Sequence, residues 1–577
     1  MEDLNSDLDK IDSSRHAELV SEVNCLSDVP LHLKTRLNSC APLLRLPEEI
    51  LREIVTHTEE VWPAHYDRCC VSFSFRKQLR SLGWIAVGHV CHQLRLILLQ
   101  QQLLWSKNVC AFPDVEREFL RRSGQLPLEL ELQNDTCRHT KARIDFVKDN
   151  FSRASQIKVQ RISATATSTV LDNGWTFDPA DLSGVSFPFL EVLNLDFTQG
   201  SDYAVLFTAE SVYDLPPINS PRLQSLRFAF FYVPFDARTL LSLSLSRPSE
   251  WPFHPPSHFF EMLQSCIKLR SLRLDKWIPD IPYSAQKTIS LPSLTDVEVV
   301  DQDERCLALW SHLSLPSLRR CHSTAFVLSP EVVDSESYID SLARCFTPIL
   351  SAPIYSASLS GMADCLHIQL FTSPPVECPE NSFTSLRSDY TTALTFDFVS
   401  VYRLHFMRAV ERLLGVIDTA RLVCLHLADT DPYERSLSCS PERWKTLLLP
   451  LRHVHTLAIE GQEIGTLCSA LTIPSGEFTS PPLPSLRSFS LTAARLRSTS
   501  LSDDIPRADA NTSGISRDEL MEMLSSRKRA DIALKRLKIE RVIVDKGESH
   551  DGLLAQLADL VSYVDCSIET VVGERSG

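Results

Sequence analysis

A short phrase of the form L-x-x-L-x-L recurs along the chain, and no other feature of the sequence constrains the fold as strongly. Its last two apolar residues alternate as on a β-strand, and its first anchors the preceding turn. Copies begin at Leu190, Leu223, Leu269, Leu294, Leu422, Val454, Leu486 and Leu534. The residues Leu-Pro-Ser-Leu introduce such a segment three times, at Leu291, Leu315 and Leu483. The repetition predicts a series of similar strand units.

The spacing of these copies is irregular. Successive copies lie between 25 and 48 residues apart, except for a longer interval between Val297 and Leu425. The phrase resembles that of leucine-rich repeats, which take about 20–29 residues each, so the intervals imply insertions. The resemblance implies an α/β fold in which an irregular leucine-rich-repeat-like solenoid spans residues 111–577. The alternative is a mixed α/β domain whose buried strands are rich in leucine.

Several segments lie outside the repeated phrase. Residues 1–43 are polar and partly helical in pattern, and we interpret them as a leader. Two stretches rich in Pro, Ser, Asp or Thr are expected to form mobile loops, near 246–259 and 498–516. The earliest strand candidates are residues 126–132 and 157–162, which would join the N-terminal segment to the first repeats.

A helix start is signalled at Leu44–Val55, which reads LRLPEEILREIV. Proline is favoured at the first helical position and carboxylates stabilise the positive end of the helix dipole, so Pro47 and the two glutamates after it predict the beginning of a helix. At helical spacing one apolar stripe is Leu46, Ile50 and Ile54, and a second is Leu51 and Val55. One stripe is enough for a local core, so the other is expected to require a further surface.

A second helical pattern follows a spacer of residues 56–83. It runs from Trp84 to Trp105, and its apolar residues follow the 3-and-4 rhythm of a buried face. That face consists of Trp84, Val87, Val90, Cys91, Leu94 and Leu98. Together the two patterns make a unit over residues 44–110, a size at which a core alone is marginal. We expect a partner to complete this unit.

The order of these motifs resembles the F-box. The residues that carry the resemblance are LPEEIL at Leu46–Leu51, then Val90–Cys91, Arg95 and finally Leu104–Trp105. The chain departs from the family pattern at Leu94, where tryptophan is common, and in the length of its spacer. The resemblance implies an all-α domain over residues 44–110.

Members of this family dock on the Skp-family adaptor of Skp–cullin–F-box ubiquitin ligases, through apolar anchors that are desolvated in a groove. The implied adaptor-binding residues are Leu46, Pro47, Ile50, Leu51, Ile54, Val90, Cys91, Leu94 and Trp105. The chain would then be the substrate-recognition subunit that joins the adaptor and cullin ligase core to an unknown target protein held by the repeats. The alternative is a leucine-rich-repeat scaffold whose F-box-like helices only cap the solenoid.

Charge and cysteine content limit the classes of partner. Acidic residues number 73 against 58 basic ones, so broad electrostatic binding of nucleic acid or of an anionic membrane is not expected. The 17 cysteines are odd in number and contain no Cys-x-x-Cys pair, which favours reduced thiols. The acidic N-terminus lacks the layout of an export signal. We expect protein partners and a cytoplasmic or nuclear location.

The common signatures of catalytic and metal sites do not occur in the sequence. It contains no G-x-x-x-x-G-K-[ST] loop, no G-x-S-x-G elbow and no H-E-x-x-H helix. His89 and His92 would share a helix face but have no carboxylate or thiol at matching spacing. We therefore expect no cofactor, no metal and no catalytic residue. A basic run from Arg527 to Lys546 is interpreted as a repeat strand with basic outward residues, and the alternative is a docking patch or nuclear-import signal.

Overall fold

A computed structural model of the chain describes residues 41–67, 79–112, 115–132, 140–160, 179–196, 214–247, 255–281, 288–327, 353–362, 365–372, 392–400, 406–429, 440–461, 464–474, 481–492, 495–497, 515–544 and 550–568. Two compact units divide the chain. The first comprises Met1–Gly200, Leu215–Leu223 and Val233–Phe235, and the second comprises Ser201–Asp214, Gln224–Tyr232 and Asp236–Gly577. The fold is mixed α/β, and the domain boundary predicted at residue 110 falls inside the first unit.

Helices and parallel strands both occur in the first unit. In chain order its elements are α1 (Glu48–Val61), β1 (His65–Asp67), β2 (Leu79–Ser81), α2 (His92–Gln100), α3 (Gln102–Lys107), α4 (Glu116–Arg122), β3 (Leu128–Leu132), α5 (Thr140–Asp149), β4 (Ala154–Gln160), α6 (Pro179–Leu182) and β5 (Val192–Asp196). Short 3-10 helices occupy Pro42–Arg45, Gly83–His89 and Phe151–Arg153. Strands β3, β4 and β5 pair in parallel. An all-α domain over residues 44–110 is therefore not confirmed: this segment contains the short strands β1 and β2, and the compact unit extends beyond it to β5.

Helix α1 begins where the sequence predicts and ends later. Pro47 is the N-cap with φ −51°, one residue before the predicted position, and Glu48 and Glu49 occupy the first turn. The two carboxylates stabilise the helix dipole there, and proline leaves no unpaired N–H at the helix start. The helix continues past Val55 to Val61, so the first part of the predicted spacer is helical.

The two ends of the rest of the spacer lie next to each other. Strands β1 and β2 form an antiparallel pair around residues 68–78, which lie outside the described residues. The N–H of Trp84 donates to the carbonyl of Trp62 at 2.8 Å. Gly83 has φ +51°, and a Cβ on it would lie 2.4 Å from the carbonyl oxygen of Pro63. Only glycine fits this junction, which joins the two ends of the insertion.

Replacing Gly83 with alanine is expected to lower the free energy of unfolding by about 2–4 kcal/mol. A left-handed φ disfavours a Cβ by roughly 1–2 kcal/mol, and the overlap with Pro63 adds strain. Equilibrium urea unfolding measures the change. Gly415→Ala is the control, since its Cβ would meet nothing within 4 Å and alanine is the better helix former. Equal destabilisation by both changes would contradict this account of the junction.

The helix predicted from Trp84 to Trp105 is divided into three pieces. A 3-10 helix is followed by α2 and α3, with breaks at Val90–Cys91 and at Gln101. Cys91 is extended, with φ −155°, and its Sγ accepts the N–H of Leu94 at 3.5 Å as the cap of α2. As a result Val90 is 71% exposed, and its predicted place in a buried face is wrong.

The second unit alternates strands with helices. In chain order its elements are β6 (Ser225–Ala229), β7 (Ser242–Ser246), α7 (Pro256–Ser265), β8 (Ser271–Asp275), β9 (Ile289–Ser290), β10 (Asp296–Gln302), α8 (Asp303–His312), β11 (Leu313–Ser314), β12 (Arg320–Val327), β13 (Ser356–Met362), β14 (Cys365–Phe371), β15 (Thr392–Ser400), α9 (Phe406–Val416), β16 (Cys424–Asp429), α10 (Pro441–Leu448), β17 (Thr456–Gly461), α11 (Ile464–Leu471), β18 (Ser488–Thr492), β19 (Arg495–Arg497), β20 (Ile515–Ser516), α12 (Arg517–Arg529), β21 (Arg536–Val544), α13 (His550–Leu560) and β22 (Tyr563–Ile568). A 3-10 helix occupies Thr419–Arg421.

Two loop predictions can be compared with these elements. The stretch 246–259 ends in helix α7, so its last residues are helical, while 248–254 lie outside the described residues. The prediction for 498–516 falls mostly on residues outside the described ones, and Ile515–Ser516 forms β20.

One large sheet of this unit runs in the order β6-β7-β8-β10-β12-β15-β14-β13-β16-β17-β18-β21-β22. Its ladders are parallel except at β14, which is antiparallel to both neighbours. Parallel neighbours require crossover connections, and helices such as α7 and α8 lie between successive strands in the sequence.

The recurring phrase lies in register across this sheet. One run of facing residues is Leu226, Leu243, Leu272 and Val297, and another is Leu425, Leu457, Phe489 and Leu537. All of these side chains are buried. Because alternate strand residues point to opposite sides, one side of the sheet covers the core and the residues in between form the other side.

His426 on β16 makes the stability of this unit depend on pH. Its Nδ1 lies 2.9 Å from Ser358 Oγ, and burial lowers the pKa of His426 to about 4. In the unfolded chain this histidine takes up a proton near pH 6.5, whereas in the folded chain it does so only near pH 4. Its contribution to the free energy of unfolding is therefore present above this range and is lost as the pH falls through it. Urea unfolding at about pH 7 and about pH 4.5 measures how much unfolding free energy is lost between the two pH values. We expect this loss to be about 2 kcal/mol smaller in His426→Gln than in the unaltered chain. His453→Gln is the exposed control and should leave the loss unchanged. An unchanged loss in His426→Gln would contradict the assignment.

Candidate docking surface

The two apolar stripes of α1 have different environments. Leu51 and Val55 are fully buried, whereas Leu46, Ile50 and Ile54 are 37%, 42% and 37% exposed. At i, i+4 and i+8 the three exposed residues lie along one face of the helix and its entry. One stripe therefore belongs to the core and the other is open to solvent.

An aromatic core beneath α1 contains Trp84 and Trp105. Their ring centroids are 5.0 Å apart in an edge-on arrangement, and Trp105 is also 5.0 Å from Phe119. Trp105 Nε1 donates to the carbonyl of Leu98 at 3.0 Å, and the guanidinium of Arg122 lies 4.4 Å from its ring. Aromatic pairs of this kind add about 0.5–1.5 kcal/mol beyond the burial of area. The helical segment therefore has a packed aromatic core of its own.

Polar contacts fix α1 against α2. Arg52 Nη2 lies 2.6 Å from Glu48 Oε1 and donates to Gln100 Oε1 at 2.9 Å. Gln101 Nε2 donates to the carbonyl of Arg52 at 3.4 Å. The ion pair is exposed and contributes at most about 1 kcal/mol, so its main effect is on orientation. Since Arg52 is two residues from Ile50, these contacts lie on the opposite side of the helix and leave the exposed stripe clear.

A second exposed apolar stripe lies on α2 and α3. Leu96 and Leu99 are exposed at i and i+3 on α2, and Leu103 is exposed on α3 after the break at Gln101, although none of them is among the residues predicted for the site. The available signal was the run Leu94–Leu104, which has more leucines than one buried face requires. Together the two stripes make this segment unusually apolar on its outside.

Exposed large apolar side chains concentrate in the N-terminal helical segment. Sixteen such side chains occur among the described residues, and twelve of them lie between Leu43 and Val115. Single exposed apolar residues are normal on protein surfaces, whereas a concentration marks a site of interaction. The segment is therefore the best candidate for a docking surface in the described part of the chain.

The nine residues predicted for adaptor binding fall into different environments. Exposed are Leu46, Pro47, Ile50, Ile54 and Val90. Leu51, Leu94 and Trp105 are buried in the core of the unit itself, so their prediction as contact residues is corrected: they support the surface and do not form it. Cys91 is half-buried and caps α2.

Few described groups are placed for chemistry. Burial raises the pKa of Cys110 to about 11 and that of Cys266 to about 12, so both are neutral thiols near neutral pH and poor nucleophiles. Within the described ranges, no group of three or more His, Cys, Asp or Glu side chains could hold a metal. His89 and His92 both lie on the surface.

The basic run near the C-terminus does not form a uniform surface patch. Arg527 is fully buried, and its guanidinium donates to the carbonyls of Pro482 at 3.1 Å and Leu483 at 2.8 Å. Burial lowers its pKa to about 10, which leaves it charged at neutral pH. Downstream, Leu537 and Ile539 are buried on strand β21. The run thus divides between a core arginine on α12 and a strand.

Comparison with known proteins gives no family assignment. A scan against protein-family models finds no match for this chain, and a search of the curated proteins finds none either. In the described part of the chain, no helix combines the length and apolarity that crossing a membrane requires. A function for the helical segment therefore has to follow from its own residues.

Proposed function

We propose that this chain is the substrate-recognition subunit of a Skp–cullin–F-box type ubiquitin ligase. One observation carries the proposal: Leu46, Ile50 and Ile54 are exposed along a helix that opens with Leu-Pro-Glu-Glu. This is the motif that resembles the start of an F-box, and its outward stripe is the kind of surface that an adaptor groove would cover.

Docking through α1 would be recognition of a helix in a groove. The side chains of Leu51 and Val55 hold the helix in place, so the exposed stripe is presented already formed and loses little conformational freedom on binding. Central apolar anchors of such interfaces typically contribute more than about 1 kcal/mol each when they are truncated. In the proposal, Leu46 at the entry to α1 and Ile50 and Ile54 on the helix are the central anchors of this interface.

In this proposal the second unit holds the target protein as an irregular leucine-rich-repeat-like solenoid. Support comes from the parallel ladders, in which copies of the recurring phrase such as Leu226 and Leu272 lie in register. The residues between the buried ones are unconstrained by the core and can differ from strand to strand, which suits recognition of one particular partner.

The chain would act by proximity and supply no catalytic group. The adaptor and cullin bring a charged conjugating enzyme, and the second unit holds a target lysine near it. Tethering raises the effective concentration of that lysine, which can reach the millimolar range or above without any new contact at the reacting atoms. This mechanism requires only two docking surfaces on one chain.

One set of contacts favours a second candidate, a leucine-rich-repeat scaffold. Arg143 on α5 is buried, donates from Nη2 to the carbonyl of Cys110 at 2.7 Å and lies 3.6 Å from Glu116. The helical segment is thereby tied to the strand region of its own unit, as expected if the F-box-like helices only cap the repeats. In that case the exposed stripe has no adaptor to bind.

Size-exclusion chromatography of the purified chain mixed with the Skp-family adaptor separates these candidates. The ligase proposal predicts co-elution, which is lost when Leu46 and Pro47 are both changed to alanine while the melting temperature stays within about 2 °C. The scaffold predicts no co-elution, and a melting temperature lowered by the same double change. Failure of the unaltered chain to co-elute would overturn the ligase proposal.

A further inference from the structure

The large sheet has a polar face, formed by the strand residues that alternate with the buried ones. Across β8, β10 and β12 it carries Arg273, Glu298 and His322 in register. Their neighbours Leu272, Val297 and Cys321 point into the core. Adaptor docking through α1 does not use this face.

A His–Asp–His cluster, defined by His322, Asp397 and His367, lies on the polar face. His322 Nε2 is 2.9 Å from Asp397 Oδ2, and His367 Nδ1 is hydrogen-bonded to Asp397 Oδ1. Thr324 Oγ1 donates to Oδ2 at 3.4 Å. The antiparallel strand β14 creates the cluster, because it sets His367 directly opposite Asp397 on β15. When both neutral rings donate to the carboxylate, their other nitrogens, Nδ1 of His322 and Nε2 of His367, are acceptors.

Carboxylates outnumber guanidinium groups around this cluster. On the polar face from β8 to β15 the carboxylates are Asp275, Asp296, Glu298 and Asp397, and the guanidinium groups are Arg273 and Arg320. Arg273 Nη1 lies 3.2 Å from Glu298, and Arg320 is paired with Asp296. Burial raises the pKa of Asp397, but the hydrogen bonds from His322 and His367 outweigh it and hold that pKa below its usual range. Asp397 is therefore ionised at neutral pH.

We propose that the His–Asp–His cluster binds a lysine- or arginine-bearing segment of another protein. An ammonium or guanidinium group offers only donors, which match the carboxylate and the two neutral imidazole acceptors. The excess of carboxylates around the cluster attracts such a segment and disfavours acidic ones. The proposal names the class of partner for the second unit and stands whether or not α1 docks an adaptor.

Protonation of His322 should release this partner. Hydrogen bonding to Asp397 raises the pKa of His322, so this ring charges at a higher pH than an ordinary histidine. A charged His322 ring only donates, and it adds a positive charge beside Asp397. The other groups beside the cluster are Glu298 from β10, Arg273 from β8 and Ser360 from β13, and the next titratable group is His426 on β16, which lies opposite Ser358. Binding is therefore present above the pKa of His322 and is lost as the pH falls through it.

Fluorescence anisotropy of the full chain with a labelled peptide of alternating arginine and glycine tests the proposal. The comparison peptide alternates glutamate and glycine. Asp397→Asn keeps the shape of the side chain and removes its charge, and we expect it to weaken binding of the arginine peptide by about five- to tenfold. Glu261→Gln is the matched control, because it removes the same charge from an exposed position on α7 and should change binding by less than about twofold.

The pH dependence is tested with the same peptide at about pH 8 and about pH 5.5. The unaltered chain is expected to bind at least about fivefold more weakly at the lower pH. His322→Gln keeps a donor for Asp397 without titrating, so whatever its affinity at the higher pH it should lose much of the pH dependence, which keeps the test valid even if Asp397→Asn fails to fold. The proposal would be overturned if Asp397→Asn and Glu261→Gln lost equal affinity for the arginine peptide, or if the chain preferred the glutamate peptide. Unaltered pH dependence in His322→Gln would also overturn it.

Discussion

Replacing Trp105 with alanine is expected to lower the free energy of unfolding by about 3–5 kcal/mol. The side chain is buried against Trp84 and Phe119, and its indole N–H satisfies the carbonyl of Leu98. Truncation removes both aromatic contacts, leaves a cavity and removes one of the two hydrogen bonds to that carbonyl, which still accepts the N–H of Gln101. Equilibrium urea unfolding measures this loss of stability. Adaptor binding should also weaken, because the aromatic core beneath α1 is disrupted.

Trp62→Ala is the matched control for this change. Trp62 lies at the end of α1, and its side chain is 49% exposed, so its truncation should lower the unfolding free energy by less than about 1 kcal/mol. Its backbone carbonyl, which accepts the N–H of Trp84, is unaffected. Similar losses for Trp62→Ala and Trp105→Ala would contradict the assignment of Trp105 to the core.

The second large effect concerns binding and not folding. Ile50→Asp is expected to weaken binding of the Skp-family adaptor by more than about a hundredfold, because it places an unpaired carboxylate at the centre of an apolar contact. The free energy of unfolding should change by less than about 0.5 kcal/mol, since Ile50 is exposed in the free chain. Isothermal titration calorimetry and urea unfolding measure the two quantities separately.

Two further variants are the controls for Ile50→Asp. Ile267→Asp makes the same substitution at an isoleucine of the second unit that is 54% exposed, and it should leave adaptor affinity unchanged. Leu51→Ala changes the neighbour of Ile50, which is buried, and should lower the unfolding free energy by about 2–5 kcal/mol. If Ile50→Asp destabilised the fold as Leu51→Ala does, or left affinity unaltered, the exposed stripe would not be the docking surface.

The start of α1 and its two stripes could be predicted because they depend on neighbours in sequence. Pro47 and the glutamates act within one helical turn, and the stripes follow from helical spacing alone. Which stripe becomes buried could not be predicted, because that depends on where Trp84 and Trp105 pack. For the same reason Leu51 was assigned to the docking surface although the structure places it in the core.

The register of the large sheet was largely contained in the recurring phrase. One further copy of the same phrase, Leu240, Leu243 and Leu245, contributes to β7. Strand β14 has no such signal, and its antiparallel direction is a tertiary property. The His–Asp–His cluster follows from that direction, with His322 and Asp397 75 residues apart. No local pattern could have predicted their contact.

Helix breaks were also beyond the sequence pattern. The rhythm from Trp84 to Trp105 predicts one continuous helix, yet the chain is extended at Cys91, where a weak Sγ cap replaces a helical turn. Cysteine is not a common cap, so nothing in the residue types marked this position. The break exposes Val90 and turns a predicted core residue into a surface one.

Hydroxyl-radical footprinting with mass spectrometry tests most directly whether the exposed stripe of α1 is the adaptor-binding surface. In the free chain, the side chains of Leu46, Ile50 and Ile54 should be oxidised and those of Leu51 and Val55 should not. On addition of the Skp-family adaptor, oxidation of the first three is expected to fall severalfold while that of exposed Ile267 stays the same. A complex that does not form, or one that leaves the labelling of Ile50 and Ile54 unchanged, would contradict the proposed function.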